Sequence, residues 1–445
     1  MPASEPSLAL PNASSGPPRG ALLVIFLTVF IDLLGFGIVL PVMPRQAEPY
    51  LQSLGLSPLA SGAVIGLLFS VFSLMQFVFS PIWGRVSDRF GRRPILLLSL
   101  SGSVVFYALY GYAVTFPAER ATLALGLMLL SRIGAGIAGA SVGTAAAVIA
   151  DCTTPDKRAR GMALIGIAFG AGFTLGPLIA YFGLTIFQQK PWGVGALASL
   201  LSLAALLFAI AVFRETRRPN AKSAKDFFSV TRSLAVMAMP TIGALVLTYF
   251  LSIFAFANFE ATLARFTEKA FGMTNNDNFL VFASIGAVLM VAGGLYRPLS
   301  QRLPETRLLA VGLWLMIVGL GGLGVVAWGV YAEQIVGGIT LPAFKLAFYV
   351  ASALAVCGFA FVNPSVSALI SKQADPERQG EVLGVNQSFA SLGRISGPLV
   401  GSILFGVHAS GALPFVAAVV TLGLVVTLLP RFWQRHASGA AQEAR

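Results

Sequence analysis

Two cysteines and two histidines in 445 residues leave little material for a disulfide framework or a metal centre. Cys152 and Cys357 lie far apart in the chain, and His408 and His436 both fall near its carboxyl end. Charge is scarce as well. Only 11% of the residues are Asp, Glu, Lys or Arg, where a soluble globular protein carries about 25%. No Gly-x-x-x-x-Gly-Lys-Ser/Thr loop occurs, which argues against a drive by ATP. No catalytic triad and no group of metal ligands stands out, so neither an enzyme activity nor a cofactor is expected.

What the chain has in excess is apolar length. Hydrophobic residues make up 56% of it, and the mean hydropathy is +0.81. Stretches of about 20 apolar residues recur from end to end, the pattern of an all-α polytopic membrane protein. Twelve spans are expected at 21–42, 59–83, 94–114, 121–149, 161–187, 192–213, 236–260, 278–296, 308–331, 343–370, 380–406 and 411–430. They divide into a six-helix bundle at 21–213, a linker at 214–233 and a second six-helix bundle at 234–430. Residues 1–20, rich in Pro, Ser and Ala, read as a disordered tail, and 431–445 as a second tail.

The net charge of +12 is spread over short connectors, which suits membrane orientation better than nucleic acid. If the amino terminus and the even-numbered connectors share one side, that side holds 22 of the 30 Lys and Arg residues. The other side holds 6, at 45, 120, 190, 265, 269 and 345. Arg132 and Arg394 lie within spans. The asymmetry places both termini in the cytoplasm, with the plasma (inner) membrane as the expected location.

The two halves also echo each other. Pro155-Asp156-Lys157-Arg158-Ala159-Arg160-Gly161 leads into a span carrying Gly176-Pro177, and Pro376-Glu377-Arg378-Gln379-Gly380 leads into one carrying Gly397-Pro398. The proline-to-proline distance is 22 residues in both. Ser300-Gln301-Arg302 is a degraded copy of Ser87-Asp88-Arg89. Six spans, a basic linker and six more spans is the plan of a parallel-repeat transporter.

Between the second and third spans lies Gly84-Arg85-Val86-Ser87-Asp88-Arg89-Phe90-Gly91-Arg92-Arg93-Pro94. It reads as a solvated loop of topogenic charges, or as a latch in which Asp88 sits near a helix N-terminus and pairs with an arginine. The run resembles the loop signature of the major facilitator superfamily, Gly-x-x-x-Asp-Arg-x-Gly-Arg-Arg. That resemblance implies a twelve-helix transporter fold, with Gly84, Asp88, Arg89, Gly91, Arg92 and Arg93 stabilising one of two alternating-access states. In the fifth span, Gly166, Gly170, Gly172 and Gly176 permit close helix approach and Pro177 bends the helix. This Gly-x-x-x-Gly-Pro pattern is similar to the superfamily's antiporter signature, which implies export.

Asp32 lies eleven residues into the first span, about 17 Å along a helix and near the bilayer centre. A charge there is costly, so the acid is either a proton carrier or the structural partner of an arginine. Arg132 lies at similar depth in the fourth span, in a context resembling the superfamily motif tied there to proton coupling. Arg394 lies midway along the eleventh. Two arginines and one aspartate leave a cavity of net positive charge, suited to an anion, unless backbone carbonyls hold one arginine. Gln76, Asn258, Asn363, Asn386 and Gln387 can supply hydrogen bonds to a substrate or, singly, between helices. Glu260 is expected near the outer end of the seventh span, in solvent.

The first half is similar to the tetracycline-efflux branch of drug–proton antiporters, through Asp32-Leu33-Leu34-Gly35, Leu40-Pro41-Val42-Met43-Pro44, the 84–94 run and Ile149-Ala150-Asp151. It departs where that branch carries an acid in the third span, here Val104-Val105-Phe106-Tyr107, and it lacks the branch's histidine in the eighth span and acid in the ninth. The resemblance therefore implies the transport class and not tetracycline itself. The expected partners are a small molecule, protons and the lipid bilayer, with the chain acting as a monomer. A uniporter or importer, or a non-transporting receptor on the same fold, remains the alternative.

Overall fold

The computed structural model describes residues 21–152, 155–216, 230–336, 341–375 and 379–427. These form helices α1 (Ala21–Val39), α2 (Met43–Ser53), α3 (Pro58–Phe90), α4 (Arg92–Ala113), α5 (Ala121–Ala138), α6 (Val142–Cys152), α7 (Pro155–Ile186), α8 (Gly193–Val212), α9 (Val230–Met237), α10 (Pro240–Phe271), α11 (Asn275–Ser300), α12 (Glu305–Val336), α13 (Leu341–Gln373), α14 (Gln379–Val407) and α15 (Leu413–Thr427). Among the described residues, nine helical segments are long and apolar enough to cross a bilayer. The shorter apolar stretches Leu22–Ile31, Thr174–Ile186 and Leu413–Thr427 complete the twelve-helix fold. The fourth expected span is α5 and α6 joined by a 3-10 turn at Gly139–Ser141. The tails at 1–20 and 431–445, and most of the linker, lie outside the described residues.

Local chemistry sets the helix ends. The Ser57 hydroxyl accepts from the Ala60 amide at 3.3 Å, and Pro58 supplies a fixed φ at the first turn of α3. Thr274 and Asp277 close a capping box at the start of α11, with the Asp277 carboxylate 2.8 Å from the Thr274 amide. α3 is 33 residues long, roughly 50 Å, so it outruns a hydrocarbon core of about 30 Å. Here the structure differs from expectation. The run 84–90 is the last two turns of α3, and only Gly91, at φ +107°, forms the turn into α4. Arg265 and Lys269, expected in an outer connector, are likewise helical, because α10 continues to Phe271.

The halves meet chiefly through α3 against α14 and α7 against α11, with α2 touching α10. At α3–α14 the residues are small. A Cβ on Gly66 would stand 2.8 Å from the Leu399 Cα, and the Ser70 hydroxyl donates to the Ile395 carbonyl at 2.6 Å. At α7–α11, a Cβ on Gly286 would stand 2.6 Å from the Thr174 Cα. These contacts lie in the parts of the four helices nearest α2. Within the second half, stacked Phe256 and Phe359, 3.9 Å between ring centroids, pin α10 to α13.

Candidate functional site

Arg132 is placed by α5 in the interior of the first half and is 1% exposed. Its guanidinium lies 4.4 Å from the Phe72 ring centroid on α3, and its Nε donates to the Leu68 carbonyl at 3.4 Å. Both Nη atoms are shielded and without a hydrogen-bond partner. Tyr107 and Tyr110 of α4 are its electrostatic neighbours. Tyr110 is itself fixed by a 2.6 Å bond from its hydroxyl to Gln46 on α2. A buried cation with two bare donors is costly, so the spot favours whatever anionic group can reach it.

Arg394 occupies the corresponding interior of the second half, on α14. Its Nη2 donates to the Ser391 hydroxyl at 3.4 Å, and it interacts electrostatically with Tyr249 and Glu260 of α10. The Tyr249 hydroxyl donates to Asn363 of α13 at 2.7 Å. The two arginines therefore keep different company, one in each half. Asp32 falls on α1, but its side chain is outside the described residues, so the expected pairing with an arginine is too.

The amides divide. Gln76 donates to the Gly139 carbonyl at 3.1 Å and Asn258 to the Pro414 carbonyl at 3.3 Å, both joining helices. Asn363 is exposed apart from its tyrosine, Gln387 is exposed, and buried Asn386 has an Oδ1 without a partner. Of the glycine series, Gly172 and Gly176 are buried, and a Cβ on Gly176 would stand 2.8 Å from the Gly37 backbone of α1. Pro177 lies inside α7, whereas the side-chain positions of 166 and 170 are outside the described residues.

At the α3–α4 turn the arrangement is denser than the sequence suggested. Asp88 sits near the C-terminus of α3, not at a helix N-terminus, because α3 runs on to Phe90. Its carboxylate pairs with Arg92 Nη1 at 2.5 Å, and Arg92 Nε reaches Asp151 of α6 at 3.2 Å. Glu215 was not foreseen. It caps α4 by accepting from the amides of Arg92 at 2.8 Å and Arg93 at 3.0 Å. Arg93 also donates to the Ile210 carbonyl at 3.0 Å, while Arg89 lies 5.4 Å from the Phe90 ring centroid and Gly84 has open space beside it.

Two more features escaped sequence reasoning. Arg45 of α2 reaches across the halves, to Glu268 of α10 and to Asn275 of α11, each at 2.9 Å. Glu260, expected in solvent, has an Oε1 shielded from water and without a donor. The only sequence signal for either was a charge inside or beside an apolar run.

A family model described as Major Facilitator Superfamily matches residues 25–344. The chain is 29% identical over 433 residues to the Homo sapiens major facilitator superfamily domain-containing protein 10, covering 87% of this chain and 88% of that protein. It is 30% identical over 399 residues to the class E tetracycline resistance protein of Escherichia coli, covering 86% and 87%. It is 28% identical over 411 residues to multidrug resistance protein 1 of Bacillus subtilis, covering 92% and 95%. Among solved structures, it is similar to the human organic anion transporter MFSD10 (TETRAN), with a TM-score of 0.61 and 25% identity over 93% of this chain and 100% of that one.

Proposed function

We infer that this chain, which belongs to the Major Facilitator Superfamily, is a proton-coupled antiporter that exports a small organic molecule or drug by alternating access. The observation that carries this reading is the pair of interior arginines, one in each half, of which Arg132 keeps two bare donors. Two such cations attract an anionic group, and in this reading Asp32, read from the sequence as a buried acid of the first span, is the acid that answers them. Asn363, Asn386 and Gln387 are the polar groups left over for a substrate. The relatives' names, an organic anion transporter, tetracycline resistance proteins and a multidrug resistance protein, support a small organic cargo.

In this reading α2 faces outward, both termini are cytoplasmic, and the membrane is the plasma membrane, as the Lys and Arg asymmetry suggests. The conformer is then closed outside. Gly84, Asp88, Arg89, Gly91, Arg92 and Arg93 act as the inner latch, and the 166–177 segment as the antiporter hinge. The protein works as a monomer, exchanging protons for substrate, without nucleic acid.

The test is transport in proteoliposomes under an imposed proton gradient, screened across lipophilic cations, neutral drugs and organic anions. The expected result is uphill substrate movement with opposite proton movement. Asp32→Asn is expected to abolish the uphill component and to retain downhill exchange. Asp88→Asn is expected to slow turnover more than it weakens substrate affinity. Downhill flux alone would replace this reading by a uniporter or importer, and ligand binding without flux would replace it by a receptor.

A further inference from the structure

The acid that no part of the preceding mechanism uses is Glu260. α10 opens the second half as α1 opens the first, so Glu260 and Asp32 belong to corresponding helices. Glu260 lies eleven residues before the end of α10 at Phe271, about 17 Å from it along the axis. α14 runs beside α10 in the same direction. Gly393 meets Phe250, Gly397 meets Phe254 and Gly401 meets Asn258. Arg394 therefore stands beside the turn at Phe250, and Glu260 lies farther toward the α2 face. The two interact electrostatically, and no hydrogen bond from Arg394 satisfies the shielded Oε1.

The surrounding charges face other groups, although Arg265 keeps an Nη1 without a hydrogen-bond partner. From α2, Arg45 binds Glu268, while Glu48 acts on Arg265. Arg265 and Lys269 of α10 lie over the Phe405 ring of α14, at 4.7 and 5.6 Å from its centroid. From α13, Lys345 acts on Asp277 and the neutral Asn363 holds Tyr249, which shares Arg394 with Glu260. Glu260 thus has Arg394 as its electrostatic partner and no donor on Oε1. A carboxylate so placed bears the desolvation cost of its charge, and a neutral acid does not. Approach of Arg394 would offset that cost and favour the ionised form.

We propose that Glu260 is a proton-binding site of the transport cycle, holding a proton in the conformer closed at the α2 face and releasing it when Arg394 draws near. The proposal rests on the reading of the chain as a proton-coupled transporter, and it adds a second acid, in the other half and nearer the α2 face than Asp32. No bond is made beyond O–H: the proton passes from water to Glu260 and back to water on the opposite side.

Two measurements on the full-length purified protein test it. Infrared difference spectra across a pH titration should show the carbonyl stretch of a protonated carboxylic acid in the wild type. The Glu260 part of that band should be lost in Glu260→Gln and retained, shifted, in Glu260→Asp. In proteoliposomes, Glu260→Gln should lose proton-driven accumulation and the pH dependence of exchange, and Glu260→Asp should restore the pH dependence. A band of undiminished intensity in Glu260→Gln overturns the proposal. So does loss of the band with wild-type accumulation and pH profile. If the wild type itself shows no proton-driven transport, the antiporter reading fails, and the infrared band still decides whether Glu260 binds a proton.

Discussion

The two ends of the molecule use charge in opposite ways. At the α2 face, Arg45 is carried by the first half, whose Gln46 is anchored by a 3.0 Å bond to the Pro191 carbonyl, and its guanidinium binds Glu268 and Asn275 of the second half. At the other face, Arg92 gathers Ser87, Asp88 and Asp151, all within the first half, and Lys372 pairs with Glu305 at 2.5 Å within the second. One end joins the halves to each other. The pairs named at the other each lie within one half. The small-residue contacts of Gly66 with Leu399 and of Gly286 with Thr174 lie toward the joined end. Polar substitutions at the α2 face should therefore loosen the contact between the halves directly, and those at the α3–α4 turn should weaken one bundle and, through it, the proposed inner latch.

The largest departure should come from bulk at the joined end. Gly66→Leu places a side chain where a Cβ already meets the α14 backbone, and overpacking of this kind costs about 1–3 kcal/mol. The expected outcome is separation of α3 from α14, read as increased labelling of a cysteine at position 70 in a background lacking Cys152 and Cys357. Unchanged labelling would mean that the close approach does not hold the halves.

At the opposite end, Arg92→Ala leaves Asp88 and Asp151 without their shared cation. With hydrogen bonds to charged groups worth about 1.5–3 kcal/mol each, thermal unfolding in detergent should fall by several degrees. Position-70 labelling should stay at the wild-type level. A rise in that labelling would show that the turn also couples the halves.

Thr274→Val removes the hydroxyl half of the capping box and should cost about 1 kcal/mol. Its effect should be confined to faster amide exchange in the first turn of α11. The smallest effect is expected for Glu268→Gln. Glu268 is 46% exposed and Asn275 still holds Arg45, so the pair contributes about 0.5 kcal/mol, a roughly twofold change in conformer ratio. Exchanging the two residues, Arg45→Glu with Glu268→Arg, should return position-70 labelling to the wild-type value. Failure to return would assign the effect to the individual side chains.

The span pattern was legible because hydropathy is local. A helix that crosses a bilayer must be apolar over about 20 residues, and no distant contact can change that requirement. The 84–94 run and the interior Arg132 and Arg394 were legible for the same reason, since a charge beside or inside an apolar run announces itself. The helical continuation of α3 through Phe90 was not, because charged residues end a hydrophobic stretch in sequence while the backbone ladder carries on past the lipid. Nor could the sequence show that Arg92 bridges Asp88 to Asp151, or foresee that Glu215 caps α4 from 123 residues away.

Partners are the tertiary structure's decision. Arg45 and Glu268 are 223 residues apart, and both read as ordinary connector charges until the halves come together. Glu260 shows the same limit from the other side. The sequence put it at the outer end of the seventh apolar segment; its depth depends on α10 running on to Phe271, and its shielding on how α10 packs with α13 and α14. Composition and periodicity determined that this chain crosses a membrane twelve times in two related halves. Which charges are paired, and which are left bare inside, was settled only by helix packing, because electrostatic energy depends on distances that the order of residues does not contain.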